Sequence, residues 1–427
     1  MWYETDIPIA ARKNQLVLLL LGCLSLASFV YGFQMKIWNP RDEIAHYDYI
    51  DKAGHLDLPT TFEPISPHTL QLSNLPGWYG APSFDGTAKS MGLAGQSYEA
   101  HQPPLYYLLL GGPNRLIEAV DLPARWQIAV LRWAGNAFHI LGALLLVFCF
   151  AVMKKTGLAA DTRGGVFALL ALSTNVALFS TLGNDSLSFL FGCLSLSLAA
   201  WSLRDPRSWV LHVCLLTTGL SVWCKWTNLG LIPAILAVLI INGRLTTVRS
   251  GAGALGIALC PLLGLAIFNE WVHDSVLGAA SPLSVFSQFV HPFDGDKFLP
   301  VLVMNAFSVG HLGWSPDWRW GFLIIVVVVA RGLFTLVFGV RRESRPLLLE
   351  SSFCLITLAL LGTAYLLNAR VEGVHWHAFR HYSAFLPFLY GGIFGLGSAA
   401  KDGRNGLSFV AIVAGVVVLI RMVLALH

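Results

Sequence analysis

Asp42 and Glu43 are adjacent carboxylates, and His46, Tyr47, Asp48 and Tyr49 follow them within two helical turns. All six lie in the stretch Asn39 to Thr60, directly after the first apolar segment. Acids placed where a membrane helix ends are costly to bury and mark a functional site by default. A carboxylate there can take the proton from an acceptor hydroxyl, which then attacks an electrophilic carbon. If the leaving group is a phosphate, Lys or Arg must hold it and offset its charge as the bond breaks. The sequence supplies polar companions at intervals. They are Tyr98, Glu99, His101 and Gln102, then Asn184 and Asp185, then Lys225, His311 and Trp314, and finally Glu372, His375, His377, Arg380, His381 and Tyr382. This set suits a sugar carried on a polyprenyl phosphate, with its tail in the bilayer and its head presented to the enzyme. Asp42 or Glu43 fits the base. Lys225 and Arg380 fit the phosphate clamp, with Arg132 a further candidate near the end of the second span.

Each of these residues also has a plainer reading. Acids at a helix start favour the positive end of its dipole, which would account for Asp42 and Glu43. Asn184 and Asp185 read equally as a helix cap. Lys225, between Trp223 and Trp226, fits a side chain snorkelling to headgroups. His46 could join Asp42 and Glu43 on a divalent metal, or be a histidine without a function. His101 and Gln102 could touch the acceptor, or merely precede the helix that Pro103 and Pro104 open. His375, His377 and His381 have no cysteine near them, and contact with sugar or phosphate is favoured over a metal. Trp314, Trp318 and Trp320 fit an aromatic belt at the membrane interface.

The elements that position these residues must be membrane helices. The chain has 427 residues, of which 55% are hydrophobic and 12% charged, with a mean hydropathy of +0.64. A soluble protein carries about twice that charged fraction. The formal charge of +4 implies no nucleic-acid partner. The seven cysteines form no CxxC or CxxH pair, so neither a disulfide framework nor a thiolate zinc site is expected. Gln15 to Phe33 follows Arg12 and Lys13 and is longer than a cleaved signal's apolar core, so it reads as a retained first helix.

Length and polar punctuation predict an all-α polytopic protein of about eleven spans. They fall near 14–33, 127–152, 164–182, 186–203, 208–224, 228–242, 251–270, 319–340, 347–367, 383–399 and 406–425. With the N-terminus cytoplasmic, every inner segment carries at least two basic residues: Arg12 and Lys13, Lys154 with Lys155 and Arg163, Arg204 and Arg207, Arg244 and Arg249, Arg341 with Arg342 and Arg345, Lys401 and Arg404. The outer turns are poorer, as the positive-inside rule requires. The whole chain, 1–427, then forms one membrane domain with outer loops 34–126, 271–318 and 368–382. Ile44, Tyr47, Ile50 and Ala53 share one helical face, which predicts an interfacial helix lying on the bilayer surface. Pro103-Pro104 opens a second juxtamembrane helix, which Gly111-Gly112-Pro113 is expected to end.

The order and common sidedness of several strings resemble a known family. DE-x-x-H-x-x-Y-I from Asp42 to Ile50 looks like the first outer loop of the GT-C superfamily, polytopic glycosyltransferases that use polyprenyl-phosphate sugars. HQPPLYYLLL from His101 resembles their second juxtamembrane motif, and GNDSL at Asn184-Asp185 and a lysine such as Lys225 recur there. GHLGW from Gly310 and the Arg380 to Pro387 run look like the bacterial DUF2142 branch, related to the protein mannosyltransferase and aminoarabinose transferase families. The usual G-R-Y-x-x-P string is here FRHYSAFLP, with His381 between Arg380 and Tyr382. The resemblance implies a periplasmic site in a bacterial inner membrane. It implies an acid of the first outer loop as base, here Asp42 with Glu43 the alternative, and inversion at the anomeric carbon. The partners would be a polyprenyl-phosphate sugar donor, a glycan, lipid or protein acceptor, and membrane lipids. A divalent metal is an open option. The readings from other classes are a flippase or transporter of lipid-linked sugar and a non-catalytic subunit of envelope-glycan assembly. A transporter needs polar groups near mid-membrane, whereas here they gather at one interface.

Overall fold

The computed structural model describes residues 6–34, 43–60, 63–73, 96–154, 180–203, 205, 207–241 and 243–276. These residues are mostly helical. A single bridge between Pro64 and Gln96 is the only β-type pairing among them. Spans expected from residue 319 onward lie outside the described residues, as does nearly all of 164–182.

Helix α1 (Asp6–Gln34) is followed by α2 (Glu43–Gly54), the short α3 (Pro67–Ser73) and a 3-10 turn at Tyr98–His101. Then come α4 (Leu105–Ala119), α5 (Ala124–Lys154), α6 (Asp185–Ser202), α7 (Ser208–Leu220), α8 (Leu231–Ile241) and α9 (Val248–His273). Three of these are long and apolar enough to cross a membrane over their described residues: Ala124–Leu146 of α5, Asp185–Ser202 and Val248–His273. α6 is largely enclosed, while α9 sits at the rim. On α9, Leu255, Leu259, Leu263, Ile267 and Trp271 recur every four residues and are all exposed. Such a stripe would be costly in water and costs nothing against lipid tails.

α5 packs on both α1 and α6, and α7 on both α6 and α9. Polar groups rather than apolar area alone fix α1 to α5. Ser28 Oγ donates to Asn136 Oδ1 at 2.9 Å, and Trp133 Nε1 donates to the Phe29 carbonyl at 2.9 Å. Bonds of this kind hold helices together where lipid supplies no hydrophobic drive.

Two sequence expectations change. The helix over Asp42 to His55 forms as α2, yet it is not an amphipathic surface helix: every residue from Glu43 to Gly54 is buried. Its polar face can be enclosed because the charges are met internally. Lys52 Nζ lies 3.1 Å from Asp48 and 3.0 Å from Glu63, and the Ser66 amide donates to Asp48 Oδ1 at 2.7 Å. α4 begins after Pro104, as its prolines suggest, but it runs through Gly111-Gly112-Pro113 to Ala119. Gly111 serves the crossing with α2 instead of ending the helix. A Cβ on Gly111 would stand 2.6 Å from the Gly54 nitrogen, and one on Gly54 would stand 2.7 Å from the Gly111 carbonyl oxygen. The two backbones therefore touch, and only glycine fits on either side.

Candidate functional site

Arg132 of α5 and Glu43 at the first turn of α2 meet in a buried fork. Nε donates to Oε1 at 2.7 Å and Nη2 to Oε2 at 2.6 Å. The third nitrogen, Nη1, donates to the Gly32 carbonyl of α1 at 2.9 Å, and the Leu182 amide donates to Glu43 Oε1 at 3.0 Å. This one contact ties α1, α2, α5 and the turn before α6 together. Both Glu43 oxygens are thereby occupied. Glu43 thus anchors an ion pair, while Asp42, weighed with Glu43 and His46 as a metal ligand, lies outside the described residues.

A second cluster forms one turn further along α2. His46 Nδ1 and the Tyr107 hydroxyl of α4 are 2.9 Å apart, and Glu99 Oε2 lies 4.0 Å from the same nitrogen. Tyr107 stacks on Tyr49 with ring centroids 3.8 Å apart, which fixes the phenol that faces His46. The Tyr106 hydroxyl accepts from the Gly183 amide at 3.1 Å. Asn184 Nδ2 donates to Gln102 Oε1 at 3.3 Å and to the Cys224 carbonyl at 3.1 Å. Gln102 Nε2 and His101 Nε2 are 3.0 Å apart, and Trp226 Nε1 donates to the His101 carbonyl at 3.0 Å. Lys225 and Asp185 form a buried ion pair.

The backbone explains why Lys225 is there. α7 ends in a 3-10 turn at Ser221–Trp223, and another 3-10 turn at Trp226–Gly230 leads into α8. Lys225 is the extended residue between them, with φ −158° and ψ 132°. The break between two short apolar helices thus delivers an ammonium beside the first turn of α6, where Asp185 stands.

Electrostatics couple the members. Burial, then the charges of Lys225 and His101, push the His46 imidazole down to about 3, so it is neutral at physiological pH. Burial pushes the Glu99 carboxyl up to about 7, with Lys225 opposing and Asp185 reinforcing the rise. At neutral pH this carboxyl both holds and releases its proton, which suits a group that accepts or donates one.

The sequence-derived candidates therefore fall into two groups. His46, His101, Gln102, Asn184, Asp185 and Lys225 converge on one buried cluster, whereas Arg132 stands apart with Glu43. Asp42, Arg380 and Tyr382 lie outside the described residues, as do His375, His377 and His381. Glu99 stood among the polar companions without a role of its own, and Tyr106 and Tyr107 were not singled out. The signal was present in SYEAHQPPLYY, since Glu99 lies two residues before His101 and the tyrosines follow the proline pair. No protein-family model, curated protein or solved structure matches the chain.

Proposed function

We propose that the chain is a membrane glycosyltransferase that moves a sugar from a polyprenyl-phosphate donor to an acceptor. The reading places the protein in a bacterial inner membrane with the N-terminus cytoplasmic and the site on the periplasmic side. One observation carries it: a cation, a neutral imidazole and a carboxyl of raised pKa are gathered at a single end of the helix bundle. A phosphate approaching from the bilayer would meet the Lys225 ammonium, which Asp185 holds at the first turn of α6. Asp185 would orient that ammonium. His46, uncharged and held by Tyr107, would offer a hydrogen bond to a sugar hydroxyl without adding charge.

Asp42 is the proposed base. Glu43 is next to it in sequence, but its two oxygens are taken by Arg132 and the Leu182 amide, which supports a scaffolding role for Glu43 and leaves the proton abstraction to Asp42. The attacking hydroxyl oxygen would bond to the anomeric carbon as the bond from that carbon to the phosphate oxygen breaks. The proton passes to the carboxylate and the electron pair to the lipid phosphate.

The test incubates purified wild type, Asp42→Asn and Glu43→Gln with a panel of polyprenyl-phosphate sugars and measures donor consumption. Wild type is expected to consume one donor, and Asp42→Asn to lose roughly 10²–10⁴-fold in rate, as removal of a general base does. Undiminished turnover by Asp42→Asn would remove the base assignment. A wild type that moves such lipids across vesicles without consuming any would favour the transporter.

A further inference from the structure

We propose that Asp51, His68 and Glu118 form a binding site for a divalent cation of the zinc class, clasping α2, α3 and the end of α4. The site is separate from the cluster described above, and the inference stands whether or not the chain transfers sugar. Asp51 comes from the last turn of α2, His68 from α3 and Glu118 from the last turn of α4. Each presents one ligating atom, and these atoms lie within 4.8 Å of one another. Zinc bonds of about 2.0–2.2 Å to nitrogen and oxygen place ligands roughly 3.3 Å apart, so a contraction of at most about 1.5 Å closes the site. An imidazole with two carboxylates suits zinc better than magnesium, which keeps its waters and demands an octahedron.

Three further observations point to a cation. First, the hydroxyl, amide and imidazole partners of Asp51 are all distant. Ser66 Oγ and Asn114 Nδ2 are each at 3.4 Å and His68 Nδ1 is at 3.3 Å, whereas a carboxylate with a charged partner sits at about 2.7–2.9 Å. Second, two acids face each other. The Asp51 and Glu118 carboxylates each bring an oxygen to the same group, within 4.8 Å of one another. The nearest lysine on α2 does not relieve them, since Lys52 is engaged by Asp48 and Glu63. Third, the fully buried Asn114 side chain lies against both carboxyls through Nδ2, while its Oδ1 accepts no hydrogen bond. Bare carboxylates force the amide nitrogen towards them. A cation among them reverses that preference, and half a turn of the amide brings the idle oxygen in as a fourth ligand. His55 Nε2, 3.8 Å from Glu118 Oε2, stands at the edge of the group. The His68 side chain is 41% exposed and that of Glu118 22%, so an ion has a way in from solvent.

The test uses the full chain, purified in detergent on a histidine-free tag, stripped with EDTA and returned to zinc chloride. Wild type is expected to retain about one zinc per chain after desalting and to unfold at a higher temperature in zinc than in EDTA. His68→Ala and Glu118→Gln should each bind zinc at least about tenfold more weakly and lose the zinc-dependent rise. His68 is half-exposed on a short helix, so its variant is expected to unfold with wild type in EDTA, which separates lost binding from lost folding. Cobalt(II) in place of zinc should give tetrahedral visible bands in wild type and not in His68→Ala. The inference is overturned if wild type retains no zinc and its unfolding ignores it. It is equally overturned if both variants hold zinc as tightly as wild type.

Discussion

Arg132 grips Glu43 through two parallel N–H···O bonds of 2.7 and 2.6 Å, with the guanidinium and the carboxylate both shut away from solvent. The geometry is the bidentate one that only arginine offers. Losing one partner strands a buried charge, which costs about 3–5 kcal/mol. Glu43→Gln and Arg132→Met are each expected to cost stability of that order, read as a lower thermal unfolding midpoint in detergent. The double variant should cost less than the two summed, since no charge is then left alone. Intrinsic tryptophan fluorescence during heating reads all three. A midpoint unmoved by Glu43→Gln would mean that the carboxylate does not anchor α2.

Lys225 and Asp185 make the corresponding test of chemistry. Under the proposed mechanism the ammonium holds the lipid phosphate as charge develops, an effect whose removal costs on the order of 10²–10³ in rate. Lys225→Met is expected to lower donor consumption by that factor, and Asp185→Asn by less, because it leaves the cation in place with poorer aim. The double variant should be no worse than Lys225→Met, since Asp185 then has nothing to orient. Losses that multiply would argue that Asp185 acts on its own.

Stability should respond to pH through two neighbours of opposite sense. The Glu99 carboxyl is raised from 4.5 to about 7. Its contribution is therefore present below about pH 4.5, fades as pH rises, and is gone above about 7. The His46 imidazole is lowered from 6.5 to about 3. Its contribution is present above about 6.5 and is lost as pH falls towards 3. Between about 4.5 and 6.5 the two slopes oppose and the wild-type midpoint should change little from these groups. Glu99→Gln removes one of them. Its stability relative to wild type is expected to climb from pH 5 to pH 8, reaching on the order of 3 kcal/mol. A difference that stays flat across that range would place the Glu99 carboxyl in ordinary solvent.

Composition alone carried the helical and membrane character, because lipid-facing segments must be apolar over a length fixed by the bilayer. α9, Val248–His273, covers the expected span 251–270, and α6, Asp185–Ser202, matches 186–203 to within one residue. The grouping of His101, Gln102, Asn184, Asp185 and Lys225 was legible for a related reason: polar residues in such a chain have few places to go. Which polar residue pairs with which was not legible. Arg132 reads as a phosphate ligand until α2 is docked, because nothing local ties residue 132 to residue 43. The burial of α2 was hidden for the same cause. Its pattern of Ile44, Tyr47, Ile50 and Ala53 describes one face, while the fate of the other is decided by partners such as Arg132 and Ser66, far off in sequence. Pro113 with two glycines signals a helix end on local grounds, and the crossing at Gly54 overrides it.

That crossing gives a prediction with an internal control. Gly111 and Gly112 are consecutive residues of α4 with the same intrinsic cost in a helix. They differ only in what a methyl group would meet. At Gly111 it would stand 2.6 Å from the Gly54 nitrogen and 2.8 Å from the Gly54 Cα, whereas at Gly112 nothing lies within 4 Å. Backbone atoms cannot swing aside as a flexible side chain can, so Gly111→Ala must push α2 away from α4. Such overpacking costs about 1–3 kcal/mol. Gly112→Ala should be neutral or gain up to about 1 kcal/mol, the usual advantage of alanine in a helix interior. Because α2 carries both Glu43 and His46, the displacement in Gly111→Ala should also weaken donor consumption under the proposed function, while Gly112→Ala leaves it intact. Equal midpoints for the two variants would mean that α2 and α4 do not cross at Gly54 and Gly111, and the positioning of His46 against Tyr107 would have to be found elsewhere.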